Sequence, residues 1–140
     1  MDIYAAFATD ESKEEDGVVI FLGNGQDPAI DPWIRVARTG NTAYSKALAL
    51  GYEKLQAEKK LQRLSDADVE IRAKNLMIEA MADTILKDFG NLKFQGSPLL
   101  ADRNGKLQVL RVKDFRELVA TKAADVALYR VEQVEAAAGN

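Results

Sequence analysis

The stretch Pro32–Leu64, PWIRVARTGNTAYSKALALGYEKLQAEKKLQRL, is where the hydrophobic pattern of this chain changes from a period of two to that of a helix. Up to Thr39 the alternation is that of a strand, with Ile34 and Val36 on one face and Arg35 and Thr39 on the other. From Asn41 onward Tyr44, Leu48, Tyr52 and Leu55 recur at spacings of three and four, while Lys54, Glu58, Lys59 and Lys60 point elsewhere. The amide side chain of Asn41 is suited to cap this helix, predicted over about 42–64. Gly51 is its weak point, costing about 1 kcal/mol against Ala unless another backbone comes close.

Working back from Pro32, the loop GNGQDPAID is built of turn residues, and Pro32 belongs at the beginning or edge of a strand. Before it, Gly17–Leu22 (GVVIFL) is a short β-branched and aromatic run that reads as a buried strand. Residues 17–39 are therefore expected to form a β-hairpin. Trp33, the only tryptophan, anchors that hairpin onto the helices in the simpler reading. In the other it is an anchor for a partner segment added along an edge strand, together with Ile34 and Val36.

The first sixteen residues hold Asp2, Asp10, Glu11, Glu14, Glu15 and Asp16 against Lys13 alone. Such a like-charge block is expected to be a solvated, mobile arm (residues 1–16); the functional alternative is an arm that screens a sticky surface or meets a basic partner.

Downstream, Ser65 followed by Asp66 and Asp68 supplies a hydroxyl cap and early carboxylates for a second helix, predicted over 66–89 and closed by Gly90. Val69, Leu76, Ala80 and Asp83 line one stripe of it. Ile71, Ile78 and Ile85 line another, so its second half is apolar on most sides and marks it as the central core helix. Residues 99–110 can be read in two ways. Asn104–Gly105 is a hairpin signal that would join Leu99–Ala101 to Leu107–Leu110, whereas Asp102 could cap a short helix over 102–110. The helix is preferred. A last helix, about 112–137, carries Phe115, Leu118, Val119, Val126 and Tyr129 on one face and Leu128, Val131 and Val134 on a second. A helix apolar on two faces is either sandwiched in its own domain or offers a seam to a partner. The predicted fold is α+β and predominantly α: an N-terminal hairpin packed on a bundle of about four helices, with residues 17–138 as one globular domain.

With neither Cys nor His in 140 residues, the chain has no disulfide, no thiolate metal cage and no Ser/His or Cys/His nucleophile arrangement. Gly23–Asn24–Gly25 lacks the later Gly and Lys of a phosphate loop. Asp66, Asp68 and Glu70 lack the Gly bend of a calcium loop, and in Asp102–Arg103–Asn104–Gly105 the Gly comes too early for one. No catalytic, cofactor or metal residue is assigned, and an enzyme is not expected. The net charge of -3 is opposite in sign to what a phosphate backbone favours, which argues against nucleic acid. No run approaches a membrane span and the start lacks the pattern of a signal peptide, so a cytoplasmic protein is expected.

The order of elements carries a resemblance. Trp33–Arg38 (WIRVAR) leading through Gly40–Asn41 into helices, Ile85–Ser97 with its aromatic and small polar loop, and Leu107–Ala124 with an apolar segment before a Phe-bearing helix together resemble the tail assembly chaperone family of siphophages. The resemblance implies a protein of the bacterial host's cytoplasm, encoded by a phage or prophage, needed for tail morphogenesis and absent from the mature virion. It would coat the tape-measure protein and help recruit tail tube subunits, the latter through a frameshifted longer form where one exists. Ala138–Gly139–Asn140 can be encoded GCG-GGA-AAC, which contains the slippery heptamer G-GGA-AAC. Trp33, Ile34, Val36, Leu128, Val131 and Val134 are the expected partner-binding residues, and self-association is allowed. The competing reading is a structural tail-completion or head-tail connector subunit.

Overall fold

The alternating run at 33–36 is a strand, and it is the middle one of three. The computed structural model describes residues 1–131. In chain order they form helices α1 (Ile3–Phe7) and α2 (Glu11–Asp16), strands β1 (Val18–Phe21) and β2 (Trp33–Val36), and the long helices α3 (Thr42–Gln62) and α4 (Asp66–Thr84). Strands β3 (Leu86–Gly90), β4 (Lys93–Phe94) and β5 (Ser97–Pro98), helices α5 (Arg103–Leu110) and α6 (Lys113–Ala124), and a 3-10 turn at Val126–Tyr129 complete them. The class is the expected predominantly helical α+β. The sheet, however, is an antiparallel β1-β2-β3 rather than a two-stranded hairpin.

In the β1–β2 register Val18 faces Val36, Ile20 faces Ile34 and Phe21 faces Trp33. On the other side of β2, Ile34 faces Phe89 and Val36 faces Leu86. The second predicted helix does not run to residue 89. It stops at Thr84, whose hydroxyl donates to the Ala80 carbonyl at 2.7 Å, and the chain enters β3 at once. Pairing there satisfies backbone groups of β2 that would otherwise be left open beside the core. Between Arg35 and Val36 the register shifts, with Arg35 opposite Asp88 and Val36 opposite Leu86, so Lys87 is the extra residue of a bulge. Leu86 and Phe89 are three positions apart and would point to opposite faces of a regular strand. The bulge turns both into the core, where they pack with Ile34, Val36, Ile78, Met81, Ile85, Leu110 and Val119.

Asn41 does cap α3, its side-chain oxygen accepting from the Tyr44 amide at 2.9 Å. It also does more than cap: buried, it donates from Nδ2 to the Arg38 carbonyl at 2.6 Å and to the Thr84 carbonyl at 3.4 Å, tying the start of α3 to the end of α4. Ser65 caps α4 through the Asp68 amide at 3.2 Å. The second half of α4 is the core helix the pattern predicts, burying Ile78, Ala80, Met81 and Ala82, whereas Leu55 is the one buried residue of α3.

At 99–110 the structure resolves the two readings in favour of the helix. Asp102 caps α5 by accepting from the Gly105 amide at 2.8 Å. Gly105 is required by a close approach, because a Cβ there would lie 1.9 Å from the carbonyl oxygen of Leu100. A hairpin does form, but earlier, where β4 and β5 are joined by Gln95 and Gly96, both at positive φ as a two-residue turn demands. The last predicted helix, about 112–137, breaks after Ala124, and the part of it beyond Val131 lies outside the described residues. Helix α6 spans Lys113–Ala124, and Asp125 then caps the 3-10 turn by accepting from Ala127 at 3.2 Å. That turn carries Tyr129 inward, fully buried, with its hydroxyl donating to the Val36 carbonyl at 2.9 Å.

The acidic N-terminal segment, expected as a mobile arm, is docked. The Asp10 amide donates to the Tyr129 carbonyl at 2.7 Å, the Arg38 amide to the Glu14 carbonyl at 2.9 Å, and the Val131 amide to the Ala8 carbonyl at 3.2 Å. The Arg38 guanidinium pairs with the Glu14 carboxylate, and the Thr9 hydroxyl donates to the same carboxylate at 2.6 Å. The Thr9 hydroxyl, and after it Arg38, holds the Glu14 carboxyl below its ordinary range.

Ala is the better helix former by about 1 kcal/mol, yet Gly105→Ala is expected to cost about 2 kcal/mol net, because the Leu100 carbonyl cannot retreat without moving backbone. Urea unfolding measures it. Burial pushes the Tyr129 phenol up to about 12. Unfolded tyrosine ionises near 10, so between those values the folded state holds a proton that the unfolded state has lost. Stability should therefore fall as pH rises through that window, by about 2–3 kcal/mol for this one group. Tyr129→Phe should be less stable at neutral pH, where it forfeits the bond to Val36, and should show a shallower alkaline decline. Unfolding curves for both proteins across the window test this.

Candidate partner-binding surfaces

Strand β2 presents alternate residues to opposite sides, and this decides which expected contact residues can meet a partner. Ile34 and Val36 lie on the helix side and are fully buried, so they are core residues and not contact residues. Trp33 lies on the outer side, half-buried. Its indole sits directly over Gly90, where a Cβ would come within 2.3 Å of Nε1. Nε1 donates to the Pro28 carbonyl at 3.2 Å, and Asn91 Nδ2 reaches the same carbonyl at 2.9 Å and that of Asp31 at 2.8 Å. Trp33 thus fastens the loop before β2 to the turn after β3, on the side of the sheet away from the helices onto which the simpler reading had it anchor the hairpin. A partner strand cannot add beside it, because β2 is paired on both edges. Leu128 and Val131 are partly buried along the path that docks onto residues 8–10. Val134 lies outside the described residues.

Exposed apolar side chains sit elsewhere: Ile3, Tyr4 and Phe7 on α1, Ile30 before β2, Leu100 before α5, and others on the long helices. Leu50 is 63% exposed, Leu61 84% and Ile71 61%, all on the α3–α4 hairpin. Eleven residues are about three helical turns, so Leu50 and Leu61 share one side of α3. Spacing alone could have found that stripe, but it was passed over for the stronger one at Tyr44–Leu55. Between the two helices runs an open cleft of about 470 Å³, with Leu76 packed over Gly51 at its floor. One ion pair crosses the seam, Arg72 with Glu58 at 2.9 Å, and Asp83 at the cleft's edge pairs with Arg103 of α5 at 2.9 Å. A second groove, of about 300 Å³, lies on the opposite side of α4, between the start of α3 and helix α6. Tyr44, Met77, Met81 and Ala120 line it.

For chemistry on a small substrate the described residues offer little arrangement. No group of three or more potential ligands is placed to hold a metal ion among them. The displaced carboxyl, Glu14, is moved away from neutrality and held ionised, the wrong direction for a proton carrier near pH 7. No helix among them is long and apolar enough to cross a membrane.

Leu61 and Ile34 should separate surface from core. Leu61→Ser is expected to change the unfolding free energy by less than about 0.5 kcal/mol, whereas Ile34→Ala should cost about 2–5 kcal/mol, both read from urea titrations. Compared with known proteins, the chain matches no family model, no curated protein and no solved structure.

Proposed function

We propose that this protein is a tail assembly chaperone of a long-tailed bacteriophage or prophage, which binds the helical tape-measure protein and helps recruit tail tube subunits without catalysing a reaction. The observation that carries the reading is the exposure of Leu50, Leu61 and Ile71 along a helical hairpin that buries little of its own outer length. Apolar side chains gathered on one face mark a surface that meets another polypeptide, and Leu50 and Leu61 share one side of α3. A tape-measure protein, long and helical, carries apolar stripes that aggregate unless covered. The residues behind the family resemblance, WIRVAR and Gly40–Asn41, fall at the strand and helix start that hold this fold together. They support a shared architecture and leave the contact surface to other residues.

The chaperone binds in the cytoplasm of the host and is displaced when tube subunits bind the tape measure better, a difference of affinities that needs no nucleotide. Where the gene is frameshifted, the longer form supplies the contact to the tube.

Co-expression with a tape-measure fragment is expected to keep that fragment soluble, and mass spectrometry of purified virions is expected to find the chaperone missing. A fragment equally insoluble with and without it would defeat the reading. A fixed copy number in virions would point to the connector subunit.

A further inference from the structure

Among the described residues Arg116 is the one charged residue that is buried, at 9% relative exposure. It lies on α6 and donates from Nη1 to the Leu110 carbonyl at 2.9 Å, the one hydrogen bond of its side chain among the described residues. No carboxylate of the described residues pairs with it, although Glu58, Asp83 and Glu14 each pair with another arginine. A guanidinium has five donors in a planar fork. Among the described residues no fully buried side-chain nitrogen or oxygen lacks a partner, so the remaining donors of Arg116 are not sealed away. The residue lines the groove between α3, α4 and α6.

Apart from Arg116, Thr39 and Glu117, the groove is lined by apolar and aromatic side chains. Met77 and Met81 from α4, Ile85 at its end, and Ala120 and Ala123 from α6 form its walls, with Tyr44 at the head of α3. Methionines adapt to the shape of what they cover, and the exposed Ala120 leaves the entrance open. Glu117, on the rim one residue from Arg116, is exposed and makes no ion pair with it. A cation removed from water on such a wall is costly until an anion meets it.

We infer that this groove receives a helix of the partner protein, seating apolar side chains from adjacent turns against Met77 and Met81 and placing one Glu or Asp on Arg116. The occupant is a helix because the walls are helical: they offer no strand edge to an extended segment, whereas a helix arrives with its backbone bonds already made. It carries a carboxylate because the fork of Arg116 matches one in two parallel hydrogen bonds. The inference rests on the chaperone reading and adds to the exposed side of the α3–α4 hairpin a second contact, with the charge by which the tape-measure helix is chosen.

The test uses the full chain and a purified helical fragment of the tape-measure protein that it keeps soluble. Ala120→Trp closes the groove from an exposed position and should leave thermal unfolding unchanged while weakening fragment binding at least tenfold. Replacing the critical acid of the fragment by its amide should cost about tenfold against the wild-type protein and almost nothing against Arg116→Gln, the signature of a direct pair. Unchanged binding by a folded Ala120→Trp protein would overturn the groove while leaving the chaperone reading intact. A wild-type protein that binds no fragment would overturn both. Self-association that Ala120→Trp abolishes, with fragment binding unaffected, would assign the groove to a second copy and reject the inference.

Discussion

The segment Val36–Asn41 holds the molecule together by being hydrogen-bonded to nearly everything else in it. The Val36 carbonyl accepts from Tyr129, the Ala37 amide donates to Ile85, the Arg38 amide to Glu14, the Thr39 amide to Ala123, and the Asn41 side chain to Thr84. Six consecutive residues thereby fix the N-terminal segment, the end of α4, the end of α6 and the 3-10 turn in one place. Each buried bond contributes only about 1 kcal/mol net, but the arrangement leaves few alternatives, because a shift of β2 by one residue would expose Ile34 and Val36 and break all of these bonds together. The sheet is small, and it organises the helices because its central strand runs straight into this junction.

What could be read in advance follows from how local each signal is. Caps are local, and Asn41, Ser65 and Asp102 were legible because a side chain bonds an amide two or three residues away. Strand β3 was not. Ile78 and Ile85 keep a helical spacing up to the point where the helix stops, and the reason for stopping, an open edge of β2, lies some fifty residues earlier in the chain. The bulge at Lys87 hid it further, since Leu86 and Phe89 share a face only once the regular alternation is broken. The N-terminal segment was misread for a similar reason: a run of acids looks solvated until the distant Arg38 is placed beside Glu14. The expected contact residues show the limit of amphipathic pattern most plainly. Alternation revealed that Ile34 and Val36 share an apolar face, but what covers that face is this chain's own helices.

Electrostatics divides the two concave surfaces flanking α4. Along the α3–α4 cleft both signs of charge are present and Arg72 pairs with Glu58 across the seam, a solvated surface worth little to stability. In the groove on the other side a single buried cation stands without a counter-charge, against sulfur and hydrocarbon. The distal part of the hairpin is supported by few buried side chains, so its opening draws on less of the total stability than does opening at the sheet. Under the proposed function that gradient suits a protein that must hold its partner firmly at one end and release it entire.

The joining of the two chain ends has a mechanical consequence. Thr9 and Arg130 form an antiparallel bridge, and from it Ala8 and Val131 leave side by side. Tension between the two ends therefore does not load the bridging bonds in parallel, as it would if the segments were sheared lengthwise. It peels them in sequence, the Val131–Ala8 bond before the Asp10–Tyr129 bond, much as a zipper opens. A fold held at its waist by many bonds is thus closed at its rim by a clasp that yields to a modest pull.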